Sequence, residues 1–417
     1  MSWFGGGSHH DKGPNFFPVT SYNSGYGALT DQDTAWECIS NKGFQTETQT
    51  YYSVLEDGSI LMIQVIWSFL GLFLVPATTQ MTFKLYNPKT KKMTWKSVNV
   101  SNFKTDGRSS KSDAFEIKHV GTTATEEIYE ISADLDKAIQ LNVKWSKPAS
   151  APGAKYGAGE NGGYSTYGRD RSVEKRDGFI VHRFHPFAVS SGSIVVDGKI
   201  IDAKGDAMFV HAIQGGMRPN LTAARWNFTF FTTGGGYEDS EIGSVRAIFM
   251  EFQTTDDYGP GGKNSERATV SVGLVYASSL PESRVGVVGQ TRPATSAWPV
   301  PNSDVAEAKH LNPVKDQETG YLAPTGLTFV WAGDRSDKAG KFEASVTIDD
   351  VTGGLVEKVD VLAEIPYVLR KGLAAVTGTK PYIFQYHNPA TLNVDLSGDK
   401  KVAVKGWMYS EASFISQ

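Results

Sequence analysis

Short segments in which apolar and polar residues alternate with period two recur along this chain and leave few architectures open to it. The segment FEASVTIDD (342–350) places apolar side chains at every second position, as a strand with one buried face does. Alternating runs also flank turn signals in three other places, and they predict β-hairpins over residues 81–98, 193–202 and 392–408. Hairpins at such short spacing are typical of an antiparallel β-sandwich or β-barrel.

Helices contribute little to the predicted fold. The most convincing one begins near Pro366, carries Leu369, Leu373 and Val376 on one face, and stops at Gly378. Hairpins occupy both halves of the 417-residue chain, of which 40 % is hydrophobic, enough for substantial cores. We therefore predict an all-β protein with few helices and two successive β domains.

Net charge and cysteine content limit the classes of binding partner and the cellular compartments that can be expected. The net charge of −4 provides no basic field for nucleic acid, so no nucleic-acid partner is expected. The single cysteine, Cys38, rules out an intramolecular disulfide and suits a reducing compartment. Because the N-terminal residues contain no apolar core of signal-peptide length, we expect a cytosolic protein without a signal peptide.

An apolar segment, ILMIQVIWSFLGLFLVP (60–76), is similar in composition to a membrane span. It is shorter than the ~20 residues that a spanning helix needs, and it contains Gln64 and Ser68, so no transmembrane helix is predicted. Alternation fails in its second half, which predicts a loop or a bent strand end at a barrel mouth. This loop either lines a ligand portal and contacts a membrane surface or is buried against the second domain, and the sequence favours neither. The portal interpretation rests on Trp67, Phe69, Leu70, Leu72 and Phe73.

The densest group of polar residues lies in MFVHAIQGGMRPNLTAARWNFTFF (208–231), between runs that are typical of buried strands. One interpretation is catalytic, with His211 as a general base and Arg218 or Arg225 stabilising negative charge. The other is structural, with these side chains satisfying backbone groups where the chain passes between domains. We favour the structural interpretation and predict an interdomain polar network of His211, Gln214, Arg218, Asn220, Arg225 and Trp226.

The remaining motifs predict neither catalysis nor a metal nor a cofactor. His182 and His185 are three positions apart and would point to opposite faces of a strand, so they cannot share an ion. The pattern G-x-G-x-x-G at Gly157, Gly159 and Gly162 lacks the preceding strand and the following helix of a dinucleotide site. We therefore expect no catalytic residue, no metal and no cofactor.

Several longer words of the sequence resemble the fungal survival factor 1 family. They extend from Glu47 to the C-terminal EASFIS, so the resemblance covers most of the chain, and several contain the rare residues Trp, His and Arg. The most specific word is residues 208–228. The others are ETQTYY (47–52), KSVNVSNF (96–103), DGFIVHRF (177–184), AIFMEFQTTDDYG (247–259), DVLAEIP (360–366) and GTKPYIFQY (378–386).

The resemblance implies two tandem lipocalin-like β-barrels, which we place at residues 26–213 and 214–417 after a flexible, glycine-rich N-terminus of residues 1–25. It also implies a cytosolic, peripherally membrane-associated protein that carries ceramides between the endoplasmic reticulum and the Golgi and supports survival of oxidative stress. No catalytic residue follows from it. Family members begin with an amphipathic helix, which three successive glycines, Gly5 to Gly7, oppose in this chain.

A lipid carrier is the leading functional hypothesis. A lipocalin barrel can enclose an apolar cavity with a few polar groups for a head group, and the sequence does not indicate which barrel would hold it. The alternative is a cyclase or pericyclase acting on a polyketide or terpenoid, because tandem lipocalin-like barrels also serve such enzymes. A third hypothesis, a scaffold without a ligand, predicts sealed cores in place of a cavity above about 300 Å³.

Overall fold

The computed structural model describes residues 13–21, 25–40, 43–72, 74–279, 286–296, 304–338, 340–361, 380–396 and 401–416. Most of these residues lie in antiparallel strands that form two large sheets, one from each half of the chain. The prediction of an all-β protein with few helices is confirmed.

The first sheet has sixteen strands. They are β1 (Phe16–Phe17), β2 (Tyr26–Ala28), β3 (Phe44–Leu55), β4 (Ile60–Phe69), β5 (Thr78–Asn87), β6 (Lys92–Val100), β7 (Lys104–Asp106), β8 (Ser109–Lys111), β9 (Phe115–Val120), β10 (Glu127–Asp134), β11 (Ile139–Lys147), β12 (Ala154–Tyr156), β13 (Tyr164–Tyr167), β14 (Gly178–Val196), β15 (Lys199–Asp202) and β16 (Gly205–Gly216). The main path across the sheet is β6-β5-β4-β3-β16-β14-β11-β10-β9-β8-β7. We call this curved sheet the first barrel.

The second sheet has ten strands and is called the second barrel. They are β17 (Arg225–Thr232), β18 (Val245–Gln253), β19 (Ala268–Ala277), β20 (Gly286–Pro293), β21 (Val305–Leu311), β24 (Gly326–Asp334), β25 (Lys341–Ile348), β26 (Leu355–Asp360), β27 (Tyr382–Asp395) and β28 (Lys401–Phe414). Its path is β20-β19-β18-β17-β28-β27-β25-β24-β21, with β26 beside β27. Strands β22 (Val314–Lys315) and β23 (Leu322–Ala323) form a separate small hairpin.

Short helical turns connect or flank these strands. Helix α1 (Pro219–Thr222) lies between the last strand of the first barrel and the first strand of the second. Within the described ranges, 3₁₀ turns span Val19–Ser21, Asp31–Thr34 and Thr352–Gly354. The helix predicted from Pro366 to Gly378 lies outside the described residues.

The three hairpins predicted from alternation are confirmed. They are the pairs β5–β6, β14–β15 and β27–β28. In the β14–β15 hairpin, Asp197 and Gly198 both have positive φ values, 50° and 75°. A two-residue turn with two positive φ angles matches the twist of the flanking strands, which is why an Asp-Gly pair predicts a hairpin so well.

Alternation along the strands produces three large packed regions and a small fourth one formed by Phe179, Val181 and Ile213. One fills the first barrel, where the rings of Tyr129 and Trp145 lie 5.6 Å apart between centroids. One fills the second barrel, where Phe249 and Trp331 are 6.0 Å apart. The third joins the outer faces of the two barrels and includes Tyr52.

The apolar segment 60–76 begins with a strand. Its first ten residues form β4, which pairs with β3 on one side and β5 on the other, both antiparallel. Across the described ranges, no helix reaches the length and apolar character required to cross a bilayer. This part of the segment is rich in apolar residues because both faces of β4 are covered. One face packs inside the first barrel and the other packs toward the second barrel.

The two halves of the chain also meet near the N-terminus. Of the segment predicted as flexible, residues 1–12 and 22–24 lie outside the described residues. Phe16 is buried against Tyr167 and Phe252, with ring centroids 4.9 and 6.2 Å away. The first sheet ends at Gly216 and the second begins at Arg225. The domain limits at residues 213 and 214 stay a prediction.

Candidate functional site

The outward faces of β3, β4 and β5 border an open space between the barrels. On these strands odd-numbered side chains such as Tyr51 and Ile63 point into the first barrel, and even-numbered ones such as Tyr52 and Met62 point toward the second. A cavity of about 340 Å³, which we call the first chamber, separates this face from β17, β26, β27 and β28. Its walls include Thr46, Gln64, Ile66, Trp226, Ile383 and Glu411.

A second cavity lies directly beside the first. This second chamber, of about 250 Å³, is bordered by β3, β14 and β16 on one side and by β17 and β18 on the other. Its apolar lining includes Ile180, Phe184, Val210 and Met250. Seven residues line both chambers and are called the shared wall: Thr46, Thr48, Tyr52, Gln64, Gln214, Trp226 and Glu411.

The position of the chambers corrects the expectation of an apolar cavity inside one barrel. Both chambers lie between the barrels. The interior of the first barrel is occupied by Tyr129 and Trp145, and that of the second by Phe249 and Trp331, all of them buried. Because large aromatic side chains fill the interiors, the space for a ligand is left where the two curved outer faces meet.

Glu411 is the acidic residue of the shared wall. It lies on β28 and faces both chambers. Its Oε1 atom accepts hydrogen bonds from Gln385 Nε2 at 2.9 Å and from the Tyr409 hydroxyl at 2.6 Å. Burial raises the pKa of Glu411, and the two hydrogen bonds and the charge of Lys84 reduce this shift without cancelling it. A carboxyl group with a raised pKa can accept or donate a hydrogen bond to a neutral ligand.

The other polar groups around the chambers are mainly uncharged. Gln64 Nε2 donates to Thr50 Oγ1 at 2.8 Å, and Gln214 donates to Thr222. Asn220 Oδ1 is buried, and no hydrogen bond reaches it from the described part of the chain. Lys84, the cation of the first chamber, is neutralised by Glu357 at 2.7 Å. The site therefore combines largely apolar walls with a small set of hydrogen-bonding groups.

His211, considered above as a general base, faces away from both chambers. Its Nδ1 atom is 2.7 Å from the carbonyl oxygen of Asp33, and its Nε2 atom is 2.9 Å from Glu47 Oε1. The Asp33 carboxylate in turn accepts a hydrogen bond from Lys155 Nζ at 2.9 Å and forms an ion pair with Arg183, whose Nε atom lies 3.1 Å away. These contacts hold the segment around Asp33 against the first barrel, which is a structural role.

The structure divides the six residues of the predicted network among different places. Gln214, Asn220 and Trp226 meet at the first chamber. Arg218 is exposed directly before α1. Arg225 lines a separate polar cavity of about 220 Å³ with Asn227, Arg292 and His310. The role of the six residues as one network stays a prediction.

The predicted portal residues also lie in different environments. Trp67 is buried in the first barrel and stacks on the half-buried Phe69 at 6.4 Å between ring centroids. Leu70 is half-buried, Leu72 is 55 % exposed, and Phe73 lies outside the described residues. Leu70 and Leu72 lie on the loop between β4 and β5, and Ser68 and Thr78, near the adjoining ends of these strands, line the first chamber. Leu74, at 88 % exposure, lies on the same loop.

Sequence reasoning did not identify Glu411, Gln385 or Lys84 as site residues. A signal was present for Lys84 and Gln385, because each lies between two large apolar or aromatic residues in a strand, whereas Glu411 lies between Ser410 and Ala412. What the sequence could not provide is their convergence, since Lys84 comes from β5, Gln385 from β27 and Glu411 from β28. In the ranges that the structure describes, no group of three or more His, Cys, Asp or Glu residues could hold a metal ion.

The sequence matches the model of the Svf1 family over residues 8–416. It is 31 % identical to the ceramide-binding protein SVF1 of Eremothecium gossypii, covering 93 % of this chain and 88 % of that protein. It is 30 % identical to the ceramide-binding protein SVF1 of Candida albicans and 27 % identical to the ceramide-binding protein svf1 of Schizosaccharomyces pombe. Each of these two matches covers 100 % of this chain and 98 % of the other protein.

Solved structures are similar in fold. An AttH-type protein of Nitrosomonas europaea superposes with a TM-score of 0.53 at 14 % identity, covering 96 % of this chain and 99 % of that one. CghA in its structure with Sch210972 gives a TM-score of 0.50 at 8 % identity, with 94 % and 99 % coverage. At such low identity the likeness concerns the fold alone. The prediction of two lipocalin-like barrels is confirmed.

Proposed function

Because this chain belongs to the Svf1 family, we propose that it binds a ceramide or a similar sphingolipid in the two chambers between its barrels. The relatives named above are ceramide-binding proteins. The observation that carries the proposal is the composition of the site: largely apolar walls with hydrogen-bonding groups concentrated on the shared wall. Cavities of this kind typically measure about 300–1,000 Å³ and orient a ligand with a few polar groups.

The chemistry of a ceramide suits this lining. Its head group is neutral and offers hydroxyl and amide groups, for which the Oε2 atom of Glu411 and the Oδ1 atom of Asn220 are available acceptors. Its hydrocarbon chains require apolar walls such as those formed by Ile66 and Ile383. Burial of ten methylene groups contributes on the order of 8 kcal/mol before the costs of association. No cofactor is needed for such binding.

An isoleucine-to-aspartate pair tests the site. Ile66→Asp places a charge in the first chamber, whereas Ile200→Asp makes the same change at a position on β15 that is 78 % exposed. Fluorescence titration with labelled ceramide should show at least about a tenfold loss of affinity for the first variant, since an unpaired charge opposes burial of a hydrocarbon chain. The control should bind as the unmodified protein does. Equal affinity for both folded variants would refute this site.

A second candidate function is an enzyme that folds and cyclises a polyketide or terpenoid. The observation in its favour is Glu411, a carboxyl group with a raised pKa inside a cavity, which is a property of general acids. Incubation of the purified protein with polyene and terpenoid precursors, followed by mass spectrometry, tests it. Product formation that is abolished in Glu411→Gln would favour the enzyme over the carrier.

The loop between β4 and β5 supports a proposal for membrane contact. Leu72 and Leu74 are exposed, and the ends of the loop at Ser68 and Thr78 border the first chamber. Burying each leucine in a bilayer surface contributes about 1.5–3 kcal/mol before the costs of binding. The loop would then dock on a membrane with the chamber directly behind it, so that cargo can pass between the two.

Liposome co-sedimentation tests this contact. The double variant Leu72→Asp, Leu74→Asp should lose most liposome binding, and a control with Val120→Asp and Ile200→Asp, two other exposed apolar positions, should keep it. A variant without residues 1–12 provides the opposing case. If that variant loses liposome binding while the leucine variant retains it, the loop is not the anchor.

The family resemblance further supports a cytoplasmic protein that exchanges ceramide between the endoplasmic reticulum and the Golgi and thereby supports survival of oxidative stress. Ceramide transfer between donor and acceptor liposomes tests the exchange directly. A deletion strain complemented with the unmodified protein should survive peroxide better than one complemented with Ile66→Asp. Equal survival would separate the stress phenotype from lipid binding.

A further inference from the structure

Resting on the proposed function, we infer that the two chambers hold the two hydrocarbon chains of one lipid, one chain in each, and that the site thereby selects two-chain lipids. The head group lies at the shared wall, where the chambers meet. A ceramide carries a sphingoid chain and an acyl chain, and the inference assigns each of them to a separate chamber.

The chambers diverge from the shared wall in different directions. The first extends along β4 and β5 toward β26 and β27, past Met62, Ile66 and Ile383. The second extends beneath β14 and β16 toward β18, past Ile180, Val210 and Phe252. Beyond its far end, a void of about 10 Å³ shares His182, Met250 and Phe252 with it. Two chambers that share one wall and extend past different strands suit a lipid whose two chains are joined at one head group.

Polar groups are placed for a head group at the branch point. Three threonines, Thr46, Thr48 and Thr50, follow one another on the outward face of β3 because strand side chains alternate. Gln64 and Glu411 face the same region from β4 and β28. Groups that bond hydroxyl and amide functions are therefore concentrated where two chains of a sphingolipid would join.

The second chamber is suited to an uncharged chain along its whole length. Glu411, on the shared wall, is the one Asp, Glu, Lys or Arg residue that lines it in the described part of the structure. His182 lies deeper in the chamber, and burial lowers its pKa to about 4, so its ring is neutral near pH 7. A ligand with a charge on both ends would be excluded from this chamber, and a hydrocarbon tail would not.

Filling one chamber at a time tests the inference. Ala212→Trp fills the second chamber and Ile66→Trp the first. The controls are Ala403→Trp on an exposed position of β28 and Ile200→Trp on β15. Affinities are measured for acetyl-, octanoyl- and palmitoyl-ceramide, which share one head group and one sphingoid chain and differ only in the acyl chain.

The expected pattern is asymmetric. The unmodified protein should bind octanoyl-ceramide at least tenfold more tightly than acetyl-ceramide, because each buried methylene strengthens binding by about fourfold. One chamber-filling variant should keep its affinity for acetyl-ceramide and lose the gain with acyl length, which identifies the acyl chamber. The other should bind all three ceramides at least tenfold more weakly, because it blocks the sphingoid chain.

Two outcomes distinguish failure of this inference from failure of the proposed function. If the unmodified protein binds none of the ceramides, the proposed function is wrong. If it binds them and Ala212→Trp leaves all affinities unchanged, or both variants respond identically, the two-chamber inference is wrong while the carrier stands. If Ala212→Trp does not fold, Met250→Trp fills the same chamber from the second barrel and is judged by the same criteria.

Discussion

Inside each barrel the side chains fill the available space, whereas between the barrels they leave two chambers. Neighbouring residues on β3 show the contrast. Tyr51 is enclosed in the first barrel, 5.0 Å from the Phe209 ring, and Tyr52 packs against Phe228 at 5.7 Å while lining both chambers. We therefore expect the barrels to act as walls and the proposed binding to depend on the surface where they meet. Substitutions in the two regions should affect different measurements.

The largest expected effect is on stability. Trp331 is fully buried in the second barrel, contacts Phe249 and Phe329, and donates a hydrogen bond from Nε1 to the carbonyl oxygen of Ile248 at 2.9 Å. Trp331→Ala should lower the free energy of unfolding by about 3–5 kcal/mol. Urea unfolding measures the loss, and the ceramide affinity of the folded protein should stay unchanged.

The control for this prediction is Trp95→Ala on β6. Trp95 is 42 % exposed, so the loss should remain below about 1 kcal/mol. If Trp331→Ala kept full stability and abolished ceramide binding, the second barrel rather than the interface would hold the ligand.

A smaller effect, on pH dependence, is expected in the first barrel. Glu127 is buried 2.6 Å from Arg108, 3.0 Å from His119 and 3.6 Å from Lys147. Burial would raise the pKa of Glu127, but the hydrogen bond with His119 and the adjacent positive charges outweigh it and lower the pKa to about 2. The stabilisation by Glu127 is therefore complete above its ordinary pKa of 4.5 and is lost as the pH falls toward 2.

Glu127→Gln should cost about 3 kcal/mol at pH 7, because Arg108 and Lys147 lose their buried counter-ion. The gap from the unmodified protein should narrow as the pH falls from 4.5 toward 2. Urea unfolding across this range measures the gap, with Glu130→Gln at an exposed position of β10 as control. Parallel stability curves for the two proteins would contradict the assignment.

The smallest expected effects come from two glutamines on opposite sides of the same sheet. Gln49 lies inside the first barrel, donating to the Thr34 carbonyl oxygen at 3.1 Å and accepting from Tyr51 at 3.3 Å. Gln64 lines both chambers. Gln49→Leu should cost about 1–3 kcal/mol of stability and leave affinity unchanged.

Gln64→Leu should change stability by less than about 1 kcal/mol and weaken ceramide binding about three- to tenfold, the value of one hydrogen bond to a ligand. Thermal unfolding and fluorescence titration of both variants provide the comparison. If the effects were exchanged, with Gln49→Leu weakening binding, the inside and outside of the first barrel would have been assigned the wrong roles.

Local signals in the sequence are sufficient to predict the hairpins but not to predict the position of the site. The Asp197-Gly198 turn can be read from two residues, because the conformation depends on those residues. The chambers depend on pairing between distant strands: β17, at one end of the second half, pairs with β28 at the other. Period-two patterns show that Tyr51 and Tyr52 face opposite sides but not which side is filled.

In the polar segment 208–231, strand alternation is sufficient to predict which side chains share a face of the sheet. His211 and Gln214 lie on one strand at positions of opposite parity, so alternation alone places them on different faces. The structure does so, with His211 bonded to Glu47 inside the barrel and Gln214 lining the chambers. Trp67 follows the same rule, since Ile66 and Ser68 on either side of it line the first chamber.

The division of the site between two halves of the chain has a consequence during synthesis. The strands β3, β4 and β16 leave the ribosome before the residues that cover their outer face, among them Trp226, Tyr409 and Glu411. A nascent first barrel therefore displays Tyr52, Met62 and other apolar side chains to the solvent until the second half is translated. We expect chaperones that recognise exposed apolar surface to hold the nascent chain during that interval, and release to coincide with docking of the second barrel.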